Sequence, residues 1–372
     1  MIKAVKVRLR PTNAQEKKLW QSAGVARFAY NWALARQKAN HDEGGKFLND
    51  QALRKDFTQL KQGEEFSWLY ETSNNVTKQA IKDACGAFLN FFKRRAEFPR
   101  FKSRRRSVPA FYNDNVKLKF KDGRFLIEKV GWVRISEPER IADSKFYNPR
   151  ISFDGKYWYI SVGQDVARPT VELTDKSVGI DLGLKDLAVC SDGKAYKNIN
   201  KAPTTKKQAK KLRRLQRKIS RKYEVNKNGK EYVKTGNIIK LEKQIRLLHR
   251  KLANVRLNHI HQATTAIVKT KPSRVVMENL NIKGMMKNRH LSKAIGEQGF
   301  YNFKRILSYK CEFYGIEFVE ADRFYPSSKT CCECGCIKKD LRLSDRIFKC
   351  PNCNNEIDRD YQASINLSKY TT

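Results

Sequence analysis

The stretch that decides the reading runs Cys331-Cys332-Glu333-Cys334-Gly335-Cys336, then, after thirteen residues, Cys350-Pro351-Asn352-Cys353, and on to Asp358-Arg359-Asp360-Tyr361-Gln362-Ala363-Ser364. Cys331-x-x-Cys334 and Cys350-x-x-Cys353 are two thiolate doublets at the spacing of a structural zinc site. Four thiolates close a tetrahedron and leave no position for water, so the expected zinc is a fold element, not a catalyst. Cys332 and Cys336 offer a rival pair at looser spacing. Asp360 stands seven residues beyond Cys353. A metal knuckle that runs straight into an acidic motif, in a chain of formal charge +39, predicts metal-dependent chemistry on nucleic acid.

Composition supports that direction. The 372 residues carry 77 Lys+Arg against 38 Asp+Glu, with 40% hydrophobic and 11% aromatic residues, so the chain is long and apolar enough for two or three folded domains. So large a positive charge strains a compact fold unless a polyanion neutralises it, and nucleic acid also gains from counterion release. An anionic membrane is the rival partner, but there is no lipidation motif and no apolar run near the ~20 residues a span needs. Met1-Ile2-Lys3-Ala4-Val5-Lys6 has no apolar h-region, and no signal peptide is expected. Six of the nine cysteines cluster at 331–353 while Cys85, Cys190 and Cys311 are scattered, a pattern that suits a metal site in a reducing cytosol.

Outward from the knuckle, periodicity divides the chain. Residues 2–9 alternate as a strand ended by Pro11-Thr12; from Ala14 to about Lys102 the spacing is helical. A basic, aromatic-flanked stretch, Phe101-Lys102-Ser103-Arg104-Arg105-Arg106, closes that block. Between 107 and 170, Val116–Phe120, Phe125–Ile127 and Trp158–Val162 predict strands of a small β-barrel or sandwich, which the first strand could join. Near Lys176 a new domain begins: Val178–Gly183 and Leu187–Cys190 read as a strand pair, Arg274–Glu278 as another strand, and Tyr301–Tyr314 as a helix followed by the strand Ile316–Glu320. Residues 201–256 hold 20 Lys/Arg against three acids, with apolar positions every three to four residues. That predicts a basic antiparallel helical hairpin broken near Asn226–Gly229.

Asp181 sits inside an apolar strand, Glu278 ends a second one, and Asp360 opens a helix. A buried carboxylate is hard to explain by packing. Three of them on separate elements can converge, and converged anions need divalent cations, with oxygen ligands suiting Mg²⁺ or Mn²⁺. Two such ions can activate water and stabilise a leaving oxygen. Asp358 competes with Asp360 for the third place.

These residues carry a family resemblance. Gly179-Ile-Asp181-Leu-Gly183, Met277-Glu278-Asn279-Leu280 and Asp358-Arg-Asp360-Tyr-Gln-Ala-Ser-Ile-Asn resemble the three split motifs of a RuvC nuclease domain. With Ser328-Lys-Thr-Cys331-x-x-Cys334 between the second and third, the chain resembles the transposon-encoded TnpB proteins, RNA-guided DNA endonucleases related to type V CRISPR effectors. Lys6-Val-Arg-Leu-Arg-Pro-Thr and Phe28-Ala-Tyr30-Asn31 resemble the family's N-terminal region, so the likeness covers essentially the whole chain. The family's usual Asn two residues after the last acid is Gln362 here.

The resemblance implies a multidomain architecture of α/β, all-β and all-α parts. Its domains would be a first wedge strand at 1–10, a helical recognition domain at 11–105 and a wedge β-barrel at 106–172. An RNase H-like (RuvC) nuclease domain would follow at 173–325 with the basic hairpin at 201–258, then an inserted zinc ribbon at 326–355 and the third RuvC motif at 356–372. It implies Asp181, Glu278 and Asp360 as catalytic acids holding Mg²⁺ (or Mn²⁺), and Cys331, Cys334, Cys350 and Cys353 as structural Zn²⁺ ligands. A noncoding omega (right-end) guide RNA would pair with a double-stranded DNA target beside a short adjacent motif, one chain per guide RNA or a dimer. Cutting would be two-metal hydrolysis of both strands in turn. Candidate nucleic-acid contacts are Tyr30, Asn31, Thr77, Lys78 and Gln79 for motif readout, Phe101, Lys102, Arg104, Arg105 and Arg106 for RNA, and Arg346 for the scissile phosphate. A cleavage-deficient RNA-guided regulator, a transposase or transposition accessory protein, and a compact CRISPR effector remain as alternatives.

Overall fold

Strand β1 (Ile2–Arg10) turns Val5, Val7 and Leu9 into a core while Lys6 and Arg10 face outward, the period-2 pattern of a one-sided strand. The computed structural model describes residues 1–104, 107–142, 144–229, 231–342 and 344–371, folded as two units, Met1–Ala167 and Arg168–Thr372.

In the first unit, Thr12 stops the strand and starts α1 (Asn13–Asp42) through a capping box with Gln15. Then come α2 (Asp50–Leu60) and α3 (Asn74–Phe92). The buried stripe of α1 is Leu19, Ala23, Ala26, Ala29, Tyr30 and Ala33. Its small side chains let α3 pack closely through Ala80 and Ala84. The strands β2 (Ala110–Tyr112), β3 (Lys119–Lys121), β4 (Arg124–Ile127), β5 (Gly131–Ile135), β6 (Phe146–Phe153) and β7 (Trp158–Asp165) follow. They join β1 in one antiparallel sheet ordered β2-β6-β7-β1-β5-β4-β3, so the first strand of the chain lies mid-sheet and the helices are a sequence insertion between β1 and β2. Asp122 and Gly123, with φ of 49° and 68°, turn β3 into β4 as a type I′ hairpin requires. The strand expected over Val116–Phe120 is shorter. Asp114 accepts backbone N–H bonds from Val116 and Lys117 at 2.9 and 3.1 Å, and that Asx turn delays extended structure to Lys119.

In the second unit, β8 (Thr174–Leu182), β9 (Asp186–Cys190) and β10 (Ala195–Lys197) form a meander. The basic hairpin is α4 (Pro203–Val225), a tip of β11 (Lys227–Asn228) and β12 (Glu231–Tyr232), and α5 (Gly236–Lys269). Its seam is Leu212 against Leu248 and Leu252. Expected to end by 258, α5 runs on to Lys269 because Ile260, Ala263 and Ile267 belong to the sheet's core. β13 (Pro272–Glu278), α6 (Ile282–Met285), α7 (Ser292–Gln298), α8 (Phe300–Tyr314) and β14 (Glu317–Ala321) complete the sheet. Its order is β10-β9-β8-β13-β14, with β8, β13 and β14 parallel. The parallel pairs require long crossovers, which the basic hairpin and α6–α8 supply. The last elements are β15 (Ile347–Lys349), β16 (Glu356–Asp358) and α9 (Arg359–Ser368).

Val275 and Met277 of β13 face the core shared with α5 and α8, whereas Val276 packs with Leu367 of α9. The sheet is thus covered on both faces, and α9 lies on the face to which Gly179 points. A Cβ on Gly179 would stand 2.0 Å from the Ser364 carbonyl oxygen and 2.3 Å from the Ser368 nitrogen. The glycine of the Gly-Ile-Asp motif is therefore there to let helix backbone rest on strand backbone.

Candidate active site and cysteine knuckle

Ile180 and Met277 are register partners on adjacent parallel strands, so Asp181 and Glu278 follow together at the carboxyl ends of β8 and β13. Both lie on the α9 face, opposite Ile180 and Met277. Asp360 is in the first turn of α9, its side chain only 13% exposed, and the close approach at Gly179 carries it toward that strand end. The three acids feel one another. The Asp181 carboxyl is held well above its ordinary range by burial first, then by the charges of Glu278 and Asp360. Glu278 is raised by burial and by Asp360, against a hydrogen bond from Ser327 that favours its charged form.

Each acid has its own support. Ser327 Oγ donates to Glu278 Oε1 at 2.6 Å. Arg359 donates to Asp360 Oδ1 at 3.1 Å, and Arg346 approaches Oδ2 at 3.8 Å. Asp358 is occupied otherwise: it caps α9, accepting from the backbone N–H of Asp360 at 3.0 Å and of Tyr361 at 3.1 Å, and pairs with Lys185 at 3.7 Å. Of the two aspartates, Asp360 acts on both Asp181 and Glu278, and Asp358 on Asp181 less strongly.

The four cysteines meet as ligands do. The sulfurs of Cys331, Cys334, Cys350 and Cys353 all lie within 4.8 Å of one another. Cys331 and Cys353 are 3.6 Å apart, and Cys334 and Cys350 3.5 Å, close to the edge of a tetrahedron with metal–sulfur bonds of ~2.3 Å. The Cys336 backbone N–H, then Asn352, pull the Cys334 thiol down to about 6, whereas, against a backbone N–H from Asn355, burial and the neighbouring sulfurs push Cys353 up to about 12. Neither Cys332 nor Cys336 belongs to the set; Cys336 instead gives its carbonyl to the Cys331 N–H at 2.8 Å. β15 and β16 flank the second doublet, and β16 leads directly into α9. Arg359 N–H bonds the Arg346 carbonyl at 2.9 Å, so the knuckle fixes where the acidic helix begins.

The carboxylates are looser than the thiolates, since no set of three acid ligands is mutually within 4.8 Å among the described residues. Glu278 lines a cavity of about 200 Å³ with Lys304 and Arg323, and a separate cleft of about 460 Å³ is lined by Leu184, Lys185, Asn198, Asn200, Lys201, Ala294, Glu297 and Arg346. Two of its cations, Lys185 and Arg346, are the partners of Asp358 and Asp360.

The remaining candidates divide by burial. Tyr30 and Thr77 are buried, and Thr77 Oγ1 bonds the Asn74 carbonyl at 2.9 Å. Asn31 exchanges two 2.8 Å bonds with the Lys102 backbone, Lys102 Nζ sits 3.6 Å from the Tyr30 ring centroid, and Gln79 donates to Asp83. Asn31 and Tyr30 thus fasten Lys102 to α1, whereas Thr77 and Gln79 bond within α3. Lys78, Phe101 and Arg104 are exposed, whereas Arg105 and Arg106 lie outside the described residues. Sequence reading missed Ser327, Arg359 and Asn366. Only Asn366 left a trace, as a polar residue on the buried face of a helix; Ser327 reaches the site from a loop far away in sequence.

Three family models match the chain: a Cas12f1-like TNB domain over residues 300–367, a probable transposase over 159–289 and a helix-turn-helix domain over 1–46. It is 32% identical to an Escherichia coli K12 protein named putative RNA-guided DNA endonuclease InsQ, covering 98% of this chain and 91% of that one. It is 29% identical to a Streptomyces pristinaespiralis putative RNA-guided DNA endonuclease, covering 98% and 88%. Among solved structures, Cas12f1 in its complex with sgRNA and target DNA aligns over 99% of this chain and 98% of that one, with TM-score 0.55 and 16% identity, a likeness of fold.

Proposed function

The chain belongs to the TnpB (IS605) family, and from that premise we propose that it is an RNA-guided DNA endonuclease whose second unit is a RuvC-like nuclease. The observation that carries the chemistry is the convergence of Asp181, Glu278 and Asp360, two of them with protons held abnormally tightly by burial and mutual repulsion. Such a cluster is costly without cations, and its all-oxygen chemistry suits Mg²⁺ or Mn²⁺. Divalent cations held there would supply water activation and charge neutralisation at a phosphodiester.

The chain's own groups do the rest. Asp181 anchors the centre from the sheet, Ser327 holds Glu278 in one orientation, and Arg359 holds Asp360. Arg346 and Lys185, which pair with Asp360 and Asp358 and line one cleft, receive the backbone of the strand to be cut. One site serves both strands in turn. The cysteine knuckle holds structural zinc and sets the start of α9. The sheet of the first unit is the wedge and its helices the recognition part; Lys78, Phe101 and Arg104 are its exposed candidates for nucleic-acid contact. The basic hairpin of α4 and α5 grips polynucleotide backbone. A noncoding guide RNA supplies sequence by base pairing, and the protein reads a short adjacent DNA motif and duplex shape.

The test is to purify the chain from cells that carry its native locus and sequence the RNA that accompanies it. One defined RNA with a variable 3′ or 5′ segment, whose removal by ribonuclease abolishes sequence-specific cutting, is expected. Specific cutting that survives complete RNA removal would overturn the proposal.

A further inference from the structure

Glu278 is the acid least able to hold itself in place. Its side chain has three rotatable bonds, and it lies among like charges that push it away from Asp181 and Asp360. The hydroxyl of Ser327 donates to Oε1 at 2.6 Å and so holds one of its two oxygens. Ser327 is itself buried, 3% exposed, in the loop that leads from β14 into the knuckle. Asn366, 4% exposed, fastens that loop to α9 by donating to the Ser327 carbonyl at 2.7 Å and to the Thr330 carbonyl at 2.7 Å, and Gln362 of the same helix donates to the Ser328 carbonyl between them at 3.5 Å. Both amide protons of Asn366 are thereby spent on the loop, one on each side of the turn.

Asn366 stands on the same helix as Asp360, and Thr330 precedes the first knuckle cysteine. Lys369, at the C-terminal end of α9, donates to the Cys332 carbonyl at 2.8 Å. The helix therefore presents one acid directly and controls a second through a buried amide and a serine, with the knuckle braced against both.

We propose that Ser327 is the positioning residue of Glu278 and that Asn366 positions Ser327, so that the loop entering the knuckle sets the geometry of the acidic centre. This inference rests on the reading of the three acids as the cation-binding centre. Outer-shell partners of ligating carboxylates typically matter by 10–100-fold in metal affinity or activity, and a hydroxyl bonded to one oxygen acts in that way.

The test compares Ser327→Ala with Ser327→Thr in the full-length chain. With guide RNA, Ser327→Ala should need about ten times more Mg²⁺ for half-maximal cutting, and Ser327→Thr, which keeps the hydroxyl, should return toward wild type. In the chain free of RNA and target, calorimetric Mn²⁺ binding, after subtraction of Asp181→Ala, should weaken in parallel. Zinc content should stay at the wild-type value and the fold intact by circular dichroism. Asn366→Ala, where it folds, should shift the Mg²⁺ requirement in the same direction. Wild-type Mg²⁺ and Mn²⁺ dependence in Ser327→Ala would overturn the proposal. Were Asp181→Ala to cut normally, the reading of the acids would fall instead, and that outcome is separable from a silent Ser327→Ala in an enzyme that Asp181→Ala inactivates.

Discussion

Gly179 and Ser364 touch across the most consequential packing contact of the second unit: a Cβ on the glycine would lie 2.0 Å from the serine's carbonyl oxygen. Strand and helix meet backbone to backbone at this point, two residues before Asp181 and four after Asp360. The glycine is what lets acids from two distant motifs share one place.

Replacing Gly179 should therefore be far more damaging than glycine replacement usually is. Gly179→Ala forces backbone apart and is expected to cost ~3 kcal/mol or more. The contrasting change, Gly86→Ala in α3, meets no atom within 4 Å and should stabilise by about 0.5–1 kcal/mol. Urea unfolding of the two variants should move in opposite directions; a neutral Gly179→Ala would contradict the close approach.

The raised acids predict a pH dependence. Asp181 and Glu278 bind protons more tightly folded than unfolded, so their contribution is fully present below the unfolded values of about 4. It is lost as pH rises through their raised folded values. Without divalent cations, Asp181→Asn should therefore be more thermostable than wild type at pH 8, with the advantage shrinking toward pH 5. Mg²⁺ should raise the wild type's midpoint at pH 8 and leave the variant's unchanged. Equal midpoints for both proteins at every pH would show that the acids do not repel.

Ligand assignment in the knuckle is open to a spectroscopic check. Cobalt substituted for zinc should give the absorption of a four-thiolate tetrahedral centre at one ion per chain. Cys350→Ala should lose that signature, while Cys332→Ala and Cys336→Ser should keep it. Loss in Cys332→Ala with retention in Cys331→Ala would reassign the first doublet.

The hairpin offers a test of its partner. Lys210, Arg214, Arg217 and Arg221 are exposed at helical spacing along α4. Replacing all four with glutamine should weaken RNA binding and flatten its salt dependence, by roughly 0.7–0.9 in the log–log slope for each phosphate no longer neutralised. An unchanged slope would place the polynucleotide elsewhere.

Much of this arrangement was legible in the sequence because its signals are local. Asp181 and Glu278 stand out as charges at the ends of apolar strands, the cysteine doublets carry their own spacing, and the α4–α5 seam repeats at helical intervals. Other features depend on partners far along the chain. Nothing near Asp114 says that its carboxylate will shorten a strand, and Asp358 and Asp360 look alike until one is seen to cap the helix. Nothing in the sequence around Tyr30 and Asn31 says that both meet Lys102, some seventy residues on, or that Thr77 is buried and bonded to Asn74. Ser327 is one serine among many until Asn366 and Glu278 define its position.

The central claim is that three acids make a guide-dependent nuclease of this chain, and target cleavage with the copurified RNA and Mg²⁺ tests it most directly. Wild type should cut only DNA matched to the guide, while Asp181→Ala, Glu278→Ala and Asp360→Ala should each bind RNA and matched DNA normally and leave both strands intact. Cleavage retained by Asp181→Ala would contradict the account.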